Sequence, residues 1–354
     1  MDKNISLTID GKEIKASPEQ TILEVAKENG IYIPTLCHYE GTTNPGACRV
    51  CVVEVEGART LVASCCTPVS PGMIVKTNTK RVMDARRLVV EFLWASGDHN
   101  CLKCEKNGNC ELQDLIYSME IEEPRFKTEP PRYKIEDTNS MIRRDLNKCI
   151  LCGRCVRVCN EIQVNEVLNF SMRGSYAKVG PAFNTDLINS ECVFCGECVD
   201  ACPVGALTFK QARFGGRPWE LEKVRTTCPY CGVGCQLDLN IHDGKIVKVT
   251  GNREYGNPNQ GSLCVKGRFG MDFVDSPDRL KTPLIRKDGE LEEASWDEAY
   301  DFIAEKFTAI KEKHGADSIM GFSSARCTNE ENYLFQKFMR AVIGTNNVDH
   351  CARL

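Results

Sequence analysis

The sequence predicts a multidomain chain of α+β and α/β parts whose order is set by metal-ligand cysteines. Three observations carry this. With 354 residues, 42% of them hydrophobic, there is enough apolar side chain for two to four separate cores. The 22 cysteines fall in short runs at metal-ligand spacing, and no signal peptide precedes the polar start MDKNISLTID, so the expected setting is a reducing cytoplasm. Beyond Cys264 the pattern becomes strand, loop, helix, strand, which is α/β. A net charge of -4 argues against nucleic acid as a partner, because neutralising phosphates takes a basic face. No apolar run approaches the roughly 20 residues of a membrane span, so no direct span is expected.

At the start, Ile5 to Ile9 and Glu13 to Ala16 read as strands joined at Asp10-Gly11, a strong hairpin signal. A helix is expected directly afterwards, with Ser17 as N-cap, Pro18 at its first position, Gln20 completing a capping box and Gly30 as its stop. Then come Cys37, Cys48, Cys51 and Cys65, in the context LCHYEGTTNPGACRVCVVEVEG and VASCCTPV. Residues 1–79 resemble a plant-type 2Fe-2S ferredoxin domain of the β-grasp fold, in the version that opens complex I large iron-sulfur subunits and iron-only hydrogenases. The family pattern leaves one residue between the last ligand and Thr-Pro. It therefore implies Cys65 as fourth ligand and Cys66 as a spare thiol. Gly46 and Ala47 are small enough to let backbone amides approach cluster sulfurs closely.

Residues 80 to 97 show Val82, Ala85, Leu88, Val89, Phe92 and Leu93 at helical spacing, a face expected to be core. The helix delivers GDHNCLKCEKNGNCELQ. Residues 80–120 resemble the helical 4Fe-4S module with one histidine and three cysteine ligands that follows the 2Fe-2S domain in the same families, implying His99, Cys101, Cys104 and Cys110. The family histidine lies four residues before the first cysteine, whereas His99 lies two before Cys101. A plain loop histidine, with Asp98 as ligand, is the alternative. Residues 121–145 are charged and carry Pro124, Pro130 and Pro131, which predicts an extended linker across a surface.

Over 146–215 stand two matching runs, CILCGRCVRVC with Cys149, Cys152, Cys155 and Cys159, and CVFCGECVDACP with Cys192, Cys195, Cys198 and Cys202. This is the pattern of the two-cluster bacterial ferredoxin, in which the fourth cysteine of each run ligates the other cluster. One set is then Cys149, Cys152, Cys155 and Cys202, and the other Cys192, Cys195, Cys198 and Cys159. Asn160 stands where proline is common, a departure that concerns the turn.

Within 221–277, CPYCGVGC and a later CVKG place Cys228, Cys231 and Cys235 in one tight turn and Cys264 far beyond. Three-plus-one suits a 4Fe-4S cube, capped on one face and closed by a distant ligand. A zinc site usually draws two ligands from each of two knuckles. Strands at Gln236 to Ile241 and Lys245 to Thr250 turn at Asp243-Gly244. Over 278–354, Ser295 and Glu298 cap a helix ending near Gly315, with Trp296, Ala299, Tyr300, Ile303, Phe307 and Ile310 expected inside. A strand at Ser318 to Phe322, a loop with Ser323, Ser324 and Arg326, a helix capped by Thr328 and Glu331 that stops at Gly344, and a strand from Asn347 to Arg353 make a βαβ unit. Such units bind phosphorylated ligands at the carboxyl ends of their strands. Cys327 and Cys351, outside the motifs, are expected as buried thiols.

The Cys228 site, RLKTPLIR from Arg279 to Arg286, SWDEA from Ser295 and GTNNVDHCAR from Gly344 resemble the molybdopterin oxidoreductase family, and within it the catalytic subunit of cytoplasmic formate dehydrogenases. The resemblance covers essentially the whole chain. It implies a 4Fe-4S molybdopterin oxidoreductase domain over 221–277 and the start of an α/β pterin-binding domain over 278–354. It also implies one 2Fe-2S and four 4Fe-4S clusters, about 18 iron atoms, and molybdenum or tungsten on bis-molybdopterin guanine dinucleotide. In the family a selenocysteine or cysteine ligates that metal two residues after the arginine that Arg353 matches. Here Leu354 follows Arg353 and is the last residue, so no catalytic ligand is expected within the chain. A UGA codon read as a stop is expected after Leu354, with a fragment as the alternative, and the 354-residue product is expected not to oxidise formate.

The activity implied is oxidation of formate to CO2. Electrons would enter the Cys228 cluster past Lys266, which matches the family lysine between cluster and pterin; an exposed surface lysine is the alternative. They would leave through the 2Fe-2S domain to a flavin subunit reducing NAD, NADP or ferredoxin, or to a hydrogenase partner. A complex I large subunit is the main rival, and NNVDHCAR with the Cys228 site argues against it. An iron-only hydrogenase would begin its active-site domain where CPYCGVGC stands. A stand-alone electron carrier is the third reading.

Overall fold

The computed structural model describes residues 5–253 and 258–351. Two compact units divide the chain, Met1–Lys223 with Asn240–Lys248, and Val224–Leu239 with Val249–Leu354.

In the first unit, β1 (Ile5–Ile9) and β2 (Lys12–Ala16) form the expected antiparallel hairpin. Asp10 and Gly11 both take positive φ, 49° and 83°, as a tight turn matched to strand twist requires. Helix α1 (Ile22–Glu28) begins four residues later than the sequence suggests. Ser17 is not its cap: Ser17 N donates to Gln20 Oε1 at 3.0 Å and Gln20 N to Ser17 O at 3.1 Å, which makes a separate turn. Thr21 is the N-cap, in a capping box with Glu24. Two capping signals stand in series, and starting at the second puts Ile22, Leu23, Val25 and Ala26 against the sheet. Strands β3 (Val52–Val55), β4 (Val62–Ala63) and β5 (Ile74–Lys76) complete a five-stranded sheet in the order β2-β1-β5-β3-β4, with β5 parallel to β1. A helix crossing such a mixed sheet is the β-grasp arrangement.

Helix α2 (Lys80–Ala95), capped by Thr79, turns a different face inward from the one its apolar spacing suggests. Val82, Arg86, Val90 and Glu91 are buried, while Leu88 and Phe92 are exposed, Phe92 stacking on Phe126 with centroids 4.5 Å apart. The charges hold the inner face because each has a partner. Arg86 donates twice to Val52 O, at 3.2 and 2.8 Å, and Glu91 pairs with Arg125 at 2.7 Å. Helix α3 (Glu111–Ser118) follows. The segment read as a linker is extended but pinned, by Arg132 to Asp98 and by Tyr133 N to Asn147 Oδ1 at 2.9 Å. Its last part is a strand, β6 (Ile142–Arg144), so the ferredoxin fold starts inside it.

That fold continues with α4 (Arg154–Arg157), the hairpin β7 (Asn169–Ser171) and β8 (Lys178–Gly180), α5 (Glu197–Ala201), and β9 (Leu207–Phe209), which pairs antiparallel with β6. Asn160 lies in a widened helical turn, Val158–Ile162, that extends α4.

Strands β10 (Glu222–Thr227), β11 (Gln236–His242) and β12 (Lys245–Gly251) form a three-stranded sheet in that order. The second unit goes on with α6 (Val265–Phe269), the hairpin β13 (Leu284–Lys287) and β14 (Glu290–Glu293), and α7 (Trp296–His314). Ser295 and Glu298 form the expected box at the start of α7. Its apolar face, expected inside, is mostly outside: Trp296 and Tyr300 are 60% exposed, and Ile303 and Ile310 are also exposed. The buried cluster beside it is small, Ile319, Met339 and Ile343, and of that face only Phe307 packs against it.

Strand β15 (Gly321–Ser323) starts three residues later than expected, after a tight turn at Ala316–Ser318. Helix α8 (Asn329–Lys337), boxed by Thr328 and Glu331, runs through a widened turn to Gly344, and β16 (Val348–His350) pairs parallel with β15. This is the expected βαβ unit. Ala352 and Arg353, the end of the expected second strand, lie outside the described residues, as does Leu354. Cys327 and Cys351 are exposed rather than buried, since the loop carrying Cys327 and the end of β16 face solvent.

Candidate iron-sulfur sites

The two ferredoxin runs fold alike because each places left-handed residues at matching positions. Leu151 (φ 53°) and Gly153 (φ 71°) in the first run correspond to Phe194 (φ 50°) and Gly196 (φ 77°) in the second. These curl each loop inward, so that Leu151 N donates to Cys149 Sγ and Phe194 N to Cys192 Sγ, both at 3.4 Å. Cys149, Cys152 and Cys155 line a largely enclosed apolar cavity together with Cys202 from the other run. Cys192 and Cys198 have Cys159 of the first run as a charged neighbour. Each run therefore brings its fourth cysteine to the thiols of the other run.

Burial dominates the chemistry of these thiols. It pushes Cys149 up to about 11 and Cys152 up to about 12, and raises Cys155 and Cys198 well above the ordinary thiol value. Four thiolates in so dry a place repel one another, and iron cations supply the compensating charge, so this donor set fits a cluster. All 22 cysteines are free thiols. Among the described residues no three His, Cys, Asp or Glu groups gather tightly enough for one metal ion.

In the β-grasp domain Cys37, Cys51 and Cys65 are buried and Cys48 is partly so. Cys51 Sγ and Cys65 Sγ are 3.4 Å apart, and Cys48 N donates to Cys37 Sγ at 3.5 Å. Hydrogen bonds from the Cys48 and Cys65 thiols hold Cys37 far below the ordinary value. Cys66 is exposed and turns its sulfur to Asn44 O at 3.3 Å.

In the next module, Cys104 N bonds to Cys101 O at 3.1 Å, and burial raises Cys110 to about 11. The His99 imidazole is buried, which lowers its pKa and keeps it neutral, the metal-binding form. It also bonds to the Leu93 backbone, while Nε2 is buried with no hydrogen-bond partner. A buried nitrogen aimed at nothing, in a ring oriented through its other nitrogen, fits a metal ligand. This module abuts the Cys202 loop. Glu111 N donates to Pro203 O at 3.0 Å, and a Cβ on Gly205 would come within 2.3 Å of Cys104 Sγ.

In the second unit, Cys228 N donates to Cys235 O at 2.8 Å and closes the loop. Burial, then the neighbouring Cys264 and Cys231 sulfurs, raise Cys228. Cys231 and Cys264 are exposed, as is Lys266 on α6. The sequence reading missed Arg154 and Arg157, two cations inside the first cysteine run. Arg154 grips Glu111 with both nitrogens, at 2.5 and 2.7 Å, and stands 5.7 Å over the Tyr39 ring. Nothing in the spacing marks them, since other residues between motif cysteines, Leu102 and Val193 among them, are exposed.

Family comparisons follow the same order. The 2Fe-2S iron-sulfur cluster binding domain matches residues 2–80, the NADH-ubiquinone oxidoreductase-G iron-sulfur binding region 86–125, and the ferredoxin-like domain of NADH-quinone oxidoreductase subunit 3 139–208. The molybdopterin oxidoreductase Fe4S4 domain matches 221–276 and molybdopterin oxidoreductase 279–354. Residues 221–276 and 279–354 thus match two successive domains of molybdopterin oxidoreductases, behind three iron-sulfur modules. The chain is 39% identical over 350 residues to the NADPH-Fe(3+) oxidoreductase subunit alpha of Geobacter sulfurreducens, covering 99% of the chain and 40% of that protein. It is 39% identical over 351 residues to an NADH-quinone oxidoreductase subunit of Rhizobium meliloti, again covering 99% and 40%. A Staphylococcus aureus protein provisionally named formate dehydrogenase is 33% identical over 392 residues, covering all of the chain and 39% of that protein. The chain thus spans about 40% of the length of these curated relatives. A solved structure of NAD+-reducing NiFe hydrogenase superposes with a TM-score of 0.57 at 36% identity, over 60% of this chain and 90% of that one. Among the described residues no helix is long and apolar enough to cross a membrane.

Proposed function

We propose that this chain carries electrons, one at a time, between a pterin-bound molybdenum or tungsten centre that oxidises formate and a partner subunit that reduces NAD, NADP or ferredoxin. The observation that carries the reading is the Cys228 set joined directly to a molybdopterin domain, downstream of three further modules with cluster spacing. The ligand sets in this reading are Cys37, Cys48, Cys51 and Cys65; His99, Cys101, Cys104 and Cys110; Cys149, Cys152, Cys155 and Cys202; Cys192, Cys195, Cys198 and Cys159; and Cys228, Cys231, Cys235 and Cys264. When bound, the clusters take up and release single electrons. The chain's own residues hold the ligand loops, keep water from the ferredoxin pair and place amide donors on the sulfurs. Lys266, two residues after Cys264, supplies a cation beside the fourth 4Fe-4S site.

A second reading has NADPH or NADH as the electron source, with formate playing no part. It is favoured by the 39% identity to proteins named for NADPH and NADH, against 33% for the one named for formate. The two are separated by purifying the native complex anaerobically, without dithionite, and adding formate or NADPH before low-temperature EPR. Cluster reduction by formate supports the first reading. Reduction by NADPH alone selects the second.

A further inference from the structure

Two of these sites are tied by one side chain. Arg157 closes α4, between Cys155 and Cys159, and is 9% exposed. Its Nη2 donates to the backbone carbonyl of Cys37, its Nη1 to the carbonyl of Cys152 at 3.3 Å, and its Nε to Thr42 Oγ1 at 3.4 Å. One guanidinium therefore holds the backbone of a thiol from the β-grasp set and of one from the first ferredoxin set. Gly153 leaves the space: a Cβ there would lie 3.0 Å from Arg157 Nη1 and 3.0 Å from Phe170 Cζ. Four residues on, Glu161 accepts from Thr43 N and Thr43 Oγ1, both at 2.7 Å, so the same segment grips the 42–43 loop a second time. The planar fork can span two carbonyls, which the point charge of a lysine cannot do with equal geometry. A cation in a place short of water also favours the more negative, reduced state of whatever cluster lies beside it.

We propose that Arg157 is a positioning residue for electron transfer between the Cys37, Cys48, Cys51, Cys65 site and the Cys149, Cys152, Cys155, Cys202 site, fixing their spacing and raising the potential of both. This rests on the ligand sets given under the proposed function. With both clusters bound, one electron would pass between them, the donor being oxidised and the acceptor reduced, while Arg157 holds the two loops in place. Tunnelling falls off exponentially with distance, so slack between the two loops slows the transfer.

The test uses the complete protein in its native complex, with Arg157→Gln and Arg157→Lys beside the unsubstituted form. Iron content and the 2Fe-2S EPR signal of the unsubstituted protein are read first, and their absence refutes the ligand sets and the proposal with them. Potentiometric EPR, dipolar broadening between the reduced clusters and freeze-quenched transfer rates are then compared. The Gln variant is expected to keep its iron, to shift both midpoint potentials downward, to broaden the spread of dipolar couplings and to transfer electrons severalfold more slowly. The Lys variant restores the potentials but not the rate. Unchanged potentials and rate in the Gln variant overturn the proposal. Loss of both clusters in both variants also overturns it, by making Arg157 a purely structural residue.

Discussion

The Cys149 set and the Cys228 set each offer four thiols, yet only the first is walled in. Cys155 and Cys202 are 9% and 6% exposed and share an apolar cavity with Cys149 and Cys152, whereas Cys231 and Cys264 face solvent. The first is enclosed by two mutually crossed runs and the β6–β9 pair. The second is a three-cysteine loop closed by the backbone bond from Cys228 N to Cys235 O, with Cys264 supplied from the start of α6. Spacing decides which metal group a set can hold. Burial decides how tightly water, oxygen and protons are kept from it, and so where its potential lies.

Ligand replacement breaks this comparison most strongly. Cys155→Ser removes a fully enclosed donor that solvent cannot replace, and should cost the protein one cluster, about four iron atoms, by iron analysis. Cys264→Ser should alter the EPR signal of its site and leave most of the iron, because water can reach the vacated position. Equal iron loss in both variants would remove the distinction. Next in size is the charge beside each site. Arg144, which lines the Cys149 cavity, donates to Glu136 at 2.6 Å with both side chains buried. Glu136→Ala leaves that cation in the interior without its carboxylate and should destabilise the fold by about 3–5 kcal/mol. Arg225 and Asp238 in the second unit are 3.8 Å apart and partly solvated, so Arg225→Ala should cost less than about 1 kcal/mol. Thermal unfolding under argon measures both.

The smallest contrast is in thiol reactivity of the iron-free protein. At about pH 8 iodoacetamide should label Cys231 and Cys264 first, because Cys149 and Cys152 remain neutral thiols there. The raised values mean that the thiolate forms only as pH climbs towards about 11 at Cys149 and about 12 at Cys152, so labelling of these two should rise with pH across the alkaline range. Peptide mass spectrometry that finds all four labelled alike would count against the enclosed cavity.

Much of this was legible in the sequence, and what was not has physical causes. The Asp10-Gly11 and Asp243-Gly244 turns, the boxes at Ser295 and Thr328 and the βαβ unit are local signals, and the chain obeys them. Faces are another matter, because a helix chooses its inner side by what it packs on. Glu91 and Arg86 hold the inside of α2 since Arg125 and the Val52 carbonyl satisfy them, and α7 leaves Trp296 and Tyr300 outside since the cluster beside it is three residues wide. The cysteine runs were readable as runs. The clamp at Arg157 was not, because two of its partners are backbone carbonyls, which every residue possesses and no sequence pattern marks.

Gly205 sits where a Cβ would overlap Cys104 Sγ at 2.3 Å. The joint between the His99 module and the Cys202 loop therefore has no clearance, and a single methyl group would act as a shim. Such a change would push on the Cys104 sulfur itself as well as widen the gap between the two halves. Position 205 is thus a place where heredity can disturb a joint and a sulfur with one added carbon.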